Sequence, residues 1–301
     1  MNLATVTVTY NPDLTLLDAQ LRQLPADALR VVVDNASAPD LREPLRALCE
    51  AHGAVFIANA ENLGLATGLN IGARKALELA PDLAYLLLLD QDTEPGPDGV
   101  QSLVKAYENV LERGDPPGCA GPRMVDAHTG LQHGFHCMTR WRWQRRFPPA
   151  TQTEPVRLAN LNGSGSLIPA PIYRELGGLD DALFIDHVDT EWSFRVLAAG
   201  HALYGIPQVG FLHRMGEASV RFWLFGWRVW PSRSPRRHYF LFRNAVILMR
   251  RDYVSSVWKA WAVIKLLVTF TVHALSDPRR KAQIQAMLRG LRDGLAAKAE
   301  R

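Results

Sequence analysis

Four apolar segments, each separated from the next by a helix-length stretch, fill the first ninety residues and constrain the fold more than any other feature. Residues 3–9 are β-branched and alternating, and Asn11-Pro12-Asp13 turns from them into an apolar-periodic helix over 14–24. Residues 30–34 read as a buried strand before a helix near 40–52. Residues 54–58 precede a long helix over 66–79, and Tyr85-Leu86-Leu87-Leu88-Leu89 is almost wholly apolar. Strands spaced this way need crossover helices, which dictates an α/β fold with a mostly parallel central sheet covered on both faces. Ligands in such folds bind beyond the carboxyl ends of the strands. Polar residues stand at those ends: Tyr10 and Asn11, Asp34 and Asn35, Asn59 and Asn62, Asp90 and Asp92.

Asp90-Gln91-Asp92 sets two carboxylates one residue apart just past the fourth strand. Hard oxygen ligands so placed suit Mg²⁺ or Mn²⁺, which would neutralise a diphosphate. The bland alternative is two solvated loop acids. Asp90-Gln91-Asp92-Thr93 also fits the nucleophile loop of haloacid-dehalogenase-type phosphatases, with Asp90 as nucleophile, although in that family the loop follows the first strand. Asn62 to Gly72 repeats small residues every fourth position. That pattern serves either tight helix packing or the close approach of a ligand. No GxGxxG follows the first strand, so a dinucleotide fold has no support. Asp186, Asp189 and Glu191 gather at a helix start, where they could cap the helix or present a general base. His213 follows the apolar run 209–212 as an isolated histidine.

In order along the chain, these pieces resemble a family-2 glycosyltransferase of the GT-A fold, and most specifically bacterial rhamnosyltransferases of polysaccharide and O-antigen assembly. The resemblance rests on Val8-Thr9-Tyr10-Asn11-Pro12, Val31 to Ser37, Asn62 to Gly72, Asp90-Gln91-Asp92, Asn162-Gly163-Ser164-Gly165, Asp189-Thr190-Glu191-Trp192, His213 and Arg243-Asn244. It implies that Thr9, Tyr10, Asn11, Asp34 and Asn35 hold the nucleobase and ribose, with Asn62, Gly64 and Asn70 lining the same pocket. It further implies Asp90 on the ribose and metal side, Asp92 as direct metal ligand and His213 completing coordination of Mg²⁺ or Mn²⁺. Asp189 becomes the catalytic base, and Glu191, Trp192 and Asn162 contact the acceptor. The implied donor is dTDP-rhamnose or a UDP-sugar, the acceptor a glycan or lipid-linked glycan, and the outcome inversion at the anomeric carbon. The tail lacks the clear spanning helices of processive relatives. Besides the phosphatase, a non-catalytic membrane-associated scaffold is the remaining rival.

Charge divides the chain into an expected catalytic domain over 1–220 and a basic helical region over 221–301. The net charge is +4, but residues 1–220 hold 17 Lys+Arg against 26 Asp+Glu, whereas residues 221–301 hold 17 against 4. A tail of that kind meets something anionic, and charge alone does not separate nucleic acid from an acidic membrane surface. Trp223, Trp227, Trp230, Trp258 and Trp261 among the arginines favour a helix lying in the headgroup region, over a packed helix or an oligomer contact. The expected location is therefore cytoplasmic and peripheral on the inner face of the plasma membrane, with no nucleic-acid partner. The three cysteines form no CxxC pair, which fits a reducing compartment. Residues 119–157, with Trp141, Trp143 and the Arg140–Arg146 basic cluster, read as an irregular flap.

Overall fold

A computed structural model describes residues 2–214, 219–223, 227–231 and 233–297. The first half runs β1 (Leu3–Thr9), α1 (Leu14–Gln23), β2 (Leu29–Asp34), α2 (Pro39–Ala51), β3 (Val55–Ala58), α3 (Leu65–Leu79), β4 (Tyr85–Asp90), β5 (Thr93–Glu94) and α4 (Gly99–Glu112). Then follow β6 (Gly118–Asp126), β7 (Phe135–Met138), β8 (Trp143–Arg146), β9 (Val156–Arg157), β10 (Ser166–Pro169), α5 (Ala170–Leu176), α6 (Val188–Ala198) and β11 (Ala202–His213). The chain ends with β12 (Ser219–Trp223), β13 (Trp227–Pro231), α7 (Pro235–Met249), α8 (Ser256–Ser276) and α9 (Arg280–Ala296).

Strands β3, β2, β1 and β4 are mutually parallel, as the crossover spacing requires. The sheet continues through β10, antiparallel to β4, then β6, the parallel β11 and finally β5. All seven residues of β1 are buried, so it is an interior strand with both faces covered. The small residues of α3 serve packing: a Cβ on Gly72 would stand 2.4 Å from Val6, and one on Gly68 would stand 3.0 Å from Val8. Only glycine lets α3 lie that close to β1.

The chain divides into two compact units. The first holds residues 1–137, 144–184 and 188–214; the second holds 138–143, 185–187 and 215–301. In the second, α7, α8 and α9 enclose Leu241, Phe242, Ala245, Leu266 and Met287. The tail is thus not wholly helical. Trp223, Trp227 and Trp230 fall on the β12–β13 hairpin, not on a headgroup helix, and their side chains lie outside the described residues. Helix α8, at 21 residues, is long and apolar enough to cross a membrane by length and composition alone.

Candidate active site

The site forms where β4 ends. Asp90 is the last residue of that strand, and Asp92 lies in the two-residue turn before β5. β5 then pairs antiparallel with the far end of β11, setting His213 opposite Thr93. That register carries a histidine 120 residues away to the carboxylates: Thr93 Oγ1 lies 2.9 Å from His213 Nδ1. His213 Nδ1 is 3.4 Å from Asp92 Oδ1. Ligand atoms of Asp90, Asp92 and His213 lie within 4.8 Å of one another, the one such cluster among the described residues. Two carboxylates and an imidazole, all partly exposed, fit Mg²⁺ or Mn²⁺ by donor chemistry.

Buried polar side chains fix this turn. Gln20, fully buried on α1, donates to the carbonyls of Asp90 and Thr93, each at 2.7 Å, while its own Oε1 accepts from Thr7 at 2.9 Å. Ser164 Oγ accepts from the Asp90 N–H at 2.9 Å and lies 2.7 Å from Thr93 Oγ1. Gln91 closes the opposite side by accepting from the Tyr10 N–H at 2.8 Å. No role for Gln20, Ser164 or Thr93 follows from the motifs. The available signal was a glutamine on the apolar stripe between Leu17 and Leu21, where a polar side chain must find a partner. His133 stacks edge-on to His213 at 6.5 Å, and burial holds its pKa down at about 4, so it is neutral near pH 7.

The strand-end residues expected around the nucleotide divide into two groups. Thr9 donates to Asp34 Oδ1, and Ser37 donates to Asp34 through both its hydroxyl and its N–H. Asn11, in the left-handed region at φ 47°, donates its N–H to Ser37 and accepts from Ala38, locking the β1 and β2 loops together. Tyr10 stays largely exposed above them. Asn35 donates to the Gly64 carbonyl and accepts from Asn59, while Asn62 accepts from the Gly64 N–H. Gly64 itself has φ 90°, and a Cβ there would stand 2.6 Å from Phe184. Asn70 does not belong to this edge. It is buried, donates to the Leu179 carbonyl and Asp181, and accepts from Tyr173 and the Leu179 N–H. With its amide committed to packing, it has no surface for a nucleotide.

The three acids near α6 occupy three environments. Glu191 is 1% exposed and forks onto Arg195 at 2.8 and 2.7 Å. Trp192 is 2% exposed and packs beside Tyr173. Neither presents a surface to an acceptor; an α6 packed on the sheet turns both inward. Burial would raise the Asp186 carboxyl, but Arg233 and Arg237 outweigh it and hold the pKa below the ordinary aspartate value. Asp189 is partly exposed, in the first turn of α6, its Oδ1 accepting from the Thr190 N–H at 2.8 Å. Gly163 lies against it: a Cβ there would be 3.7 Å from Asp189 Cβ. Residues 162–164 therefore run from the neighbourhood of Asp189 at Gly163 to the carboxylate turn at Ser164. Asn162 contributes its carbonyl to Ser166 Oγ at 2.6 Å.

A mixed sheet with flanking helices, carrying paired carboxylates at a strand end, defines a GT-A nucleotide-sugar transferase fold. The match to the family model "Glycosyl transferase family 2" spans residues 9–167, and the chain belongs to that family. It is a glycosyltransferase, and the phosphatase and scaffold readings fall with that assignment. It is 28% identical to the dTDP-rhamnosyl transferase RfbF of Shigella flexneri, over 97% of this chain and 96% of the relative. It is 23% identical to an N-acetylglucosaminyl-diphospho-decaprenol L-rhamnosyltransferase of Mycobacterium tuberculosis, over 66% and 67% of the two chains. Among solved structures, GalNAc-T7 with UDP, GalNAc and Mn²⁺ superposes with a TM-score of 0.60 at 20% identity; the match covers 98% of this chain and 56% of that one.

Proposed function

We propose that the chain transfers L-rhamnose from dTDP-rhamnose, with inversion, to a hydroxyl of a lipid-linked bacterial glycan. The observation that carries this reading is the convergence of Asp90, Asp92 and His213 at the end of β4. The rhamnosyltransferase names of both curated relatives and the decaprenol acceptor of one support the choice of sugar and acceptor. The Mn²⁺ in GalNAc-T7 supports a divalent ion at the three ligands. When bound, that ion supplies Lewis-acid stabilisation of the departing diphosphate. Tyr10 and Asn11 border the nucleobase, Thr9 and Asp34, both fully buried, hold their loop from beneath, and Asn35, Gly64 and Asn62 shape the adjacent loop. Asp189 takes the proton of the acceptor hydroxyl as that oxygen attacks the anomeric carbon. A single base and a single displacement give inversion.

Residues 1–220 carry the chemistry in this proposal, and residues 221–301 attach the protein to the inner face of the plasma membrane, where a lipid-linked acceptor resides. The excess of 17 basic over 4 acidic residues in the tail supports this. The test is nucleotide release from dTDP-rhamnose and from UDP-sugars, with a polyprenyl-diphosphate-linked sugar as acceptor, with Mn²⁺ or with a chelator. dTDP-rhamnose as the preferred donor, a metal requirement and an inverted linkage by NMR are expected. Metal-independent transfer or a retained anomer would overturn the mechanism, and preference for another donor would overturn the sugar.

A further inference from the structure

The second unit joins two elements far apart in sequence. Ser255, the N-cap of α8, donates to Met138 Sδ at 3.0 Å, so the 138–143 turn sits beside the start of that helix. The turn is closed by the Thr139 N–H on the Arg142 carbonyl at 2.9 Å and by the Arg142 N–H on Thr139 Oγ1 at 3.1 Å. It holds Trp141 77% exposed, with the Arg140 guanidinium 5.0 Å from the ring centre. On α8, Trp258, Ala262 and Leu266 are buried, whereas Trp261, Ile264 and Leu267 are exposed, Leu267 by 64%. A large indole left in water near the start of a helix that itself carries an uncovered aliphatic face points to a binding surface.

Charge identifies the occupant. The 138–143 turn contains Arg140 and Arg142 and no acid, and α8 contains Lys259 and Lys265 and no acid. Two copies of this chain meeting through such a surface would bring cation against cation. An anionic bilayer suits every component: indoles settle at headgroup depth, aliphatic side chains enter the acyl boundary, and guanidinium and ammonium groups meet lipid phosphates. We propose that the Thr139–Arg142 turn is a second anchor which, with the exposed face of α8, seats the protein on an anionic phospholipid surface. This rests on the attachment reading above and extends it to a segment outside the basic tail.

The test uses the full-length chain with an environment-sensitive fluorophore on Trp141→Cys; the native Cys49, Cys119 and Cys137 are buried. Vesicles are phosphatidylcholine with or without phosphatidylglycerol, and flotation is followed in parallel. The expected result is a blue shift only with phosphatidylglycerol, together with weaker flotation of Arg140→Gln/Arg142→Gln, by about fivefold per arginine. Trp261→Ser/Leu267→Ser is expected to float less as well. Undiminished flotation of the arginine variant with a silent label overturns the second anchor and leaves tail attachment standing. Failure of the unaltered chain to float with anionic vesicles overturns both.

Discussion

The two units use buried polar side chains to opposite ends. In the first, Gln20, Thr93 and Ser164 are buried and direct their hydrogen bonds to the turn that carries Asp90 and Asp92, holding half-exposed carboxylates at the sheet edge. In the second, the polar groups close on one another: His238 Nδ1 meets Gln283 Oε1 at 2.7 Å, and Gln283 and His273 both reach Asp277 Oδ2 at 2.9 Å. One network ends on chemistry and the other on the backbone of its own unit, at the Arg233 carbonyl and the Arg279 N–H. Damage to the first should therefore appear in turnover with the fold intact, and damage to the second in stability.

The largest effect is expected at Asp92. Asp92→Ala removes a partly exposed carboxylate from the three-ligand cluster without opening a cavity. Metal-dependent nucleoside diphosphate binding should vanish in calorimetry, and transfer should fall more than about 10⁴-fold, since charge stabilisation by the ion is worth several kcal/mol. A melting temperature close to that of the unaltered chain is part of the expectation. Unchanged metal-coupled binding would dissolve the contrast between the units.

Next comes Asp189→Asn, which keeps size and polarity but accepts no proton. Turnover should fall by about 10²–10⁴-fold with donor affinity kept. Glu191→Gln sharpens the comparison, because it weakens a buried pair with Arg195 and should lower stability before it affects acceptor affinity. If the asparagine variant turns over normally, the base lies elsewhere.

The difference between the units also explains what was legible in the sequence. The parallel strands and the Asp90–Asp92 pair were readable because crossover spacing and strand-end position are local patterns. His213 entered only by resemblance; its partner is set by the β5–β11 register, a pairing across about 120 residues that no local period encodes. The packing of Asn70 is not legible, because a polar residue on a glycine-rich helix gives no sign of which neighbour will take its amide; here Tyr173, Leu179 and Asp181 do. The burial of Glu191 and Trp192 is not legible either, because their inward orientation depends on how α6 packs. The tail hairpin was hidden by composition, since tryptophan and arginine suit either a strand or an interfacial helix.

A pH titration tests the second network. Burial, with lesser contributions from His273 and Arg233 and against the Gln283 hydrogen bond, lowers the His238 pKa to about 4, below the ordinary histidine value. The unfolded chain therefore takes up this proton first as pH falls. The stabilisation is complete above about 6.5 and is lost progressively down to about 4, by up to about 3 kcal/mol. Hydrogen exchange of α7 and α9 amides at pH 7 and 4.5 measures it, with His238→Asn expected to flatten the dependence. A slope unaffected by the substitution would assign the acid sensitivity to other groups.

The smallest expected effect lies inside one motif, where Gly163 and Gly165 stand two residues apart. Gly165 adopts φ 80°, and a Cβ there would meet Pro122 at 2.8 Å, so Gly165→Ala is strained in backbone and in packing together. A loss of about 1–3 kcal/mol is expected, with distortion of the neighbouring Ser164 contacts. Gly163 has neither constraint: its nearest neighbour would be Asp189 Cβ at 3.7 Å, an ordinary van der Waals contact. Gly163→Ala should thus change stability by less than about 0.5 kcal/mol. Any larger consequence must come from crowding Asp189, which appears as a change in turnover with an unchanged urea midpoint. Equal destabilisation by the two alanines would mean that the loop is held as one rigid piece, and the contrast between Gly163 and Gly165 would fall.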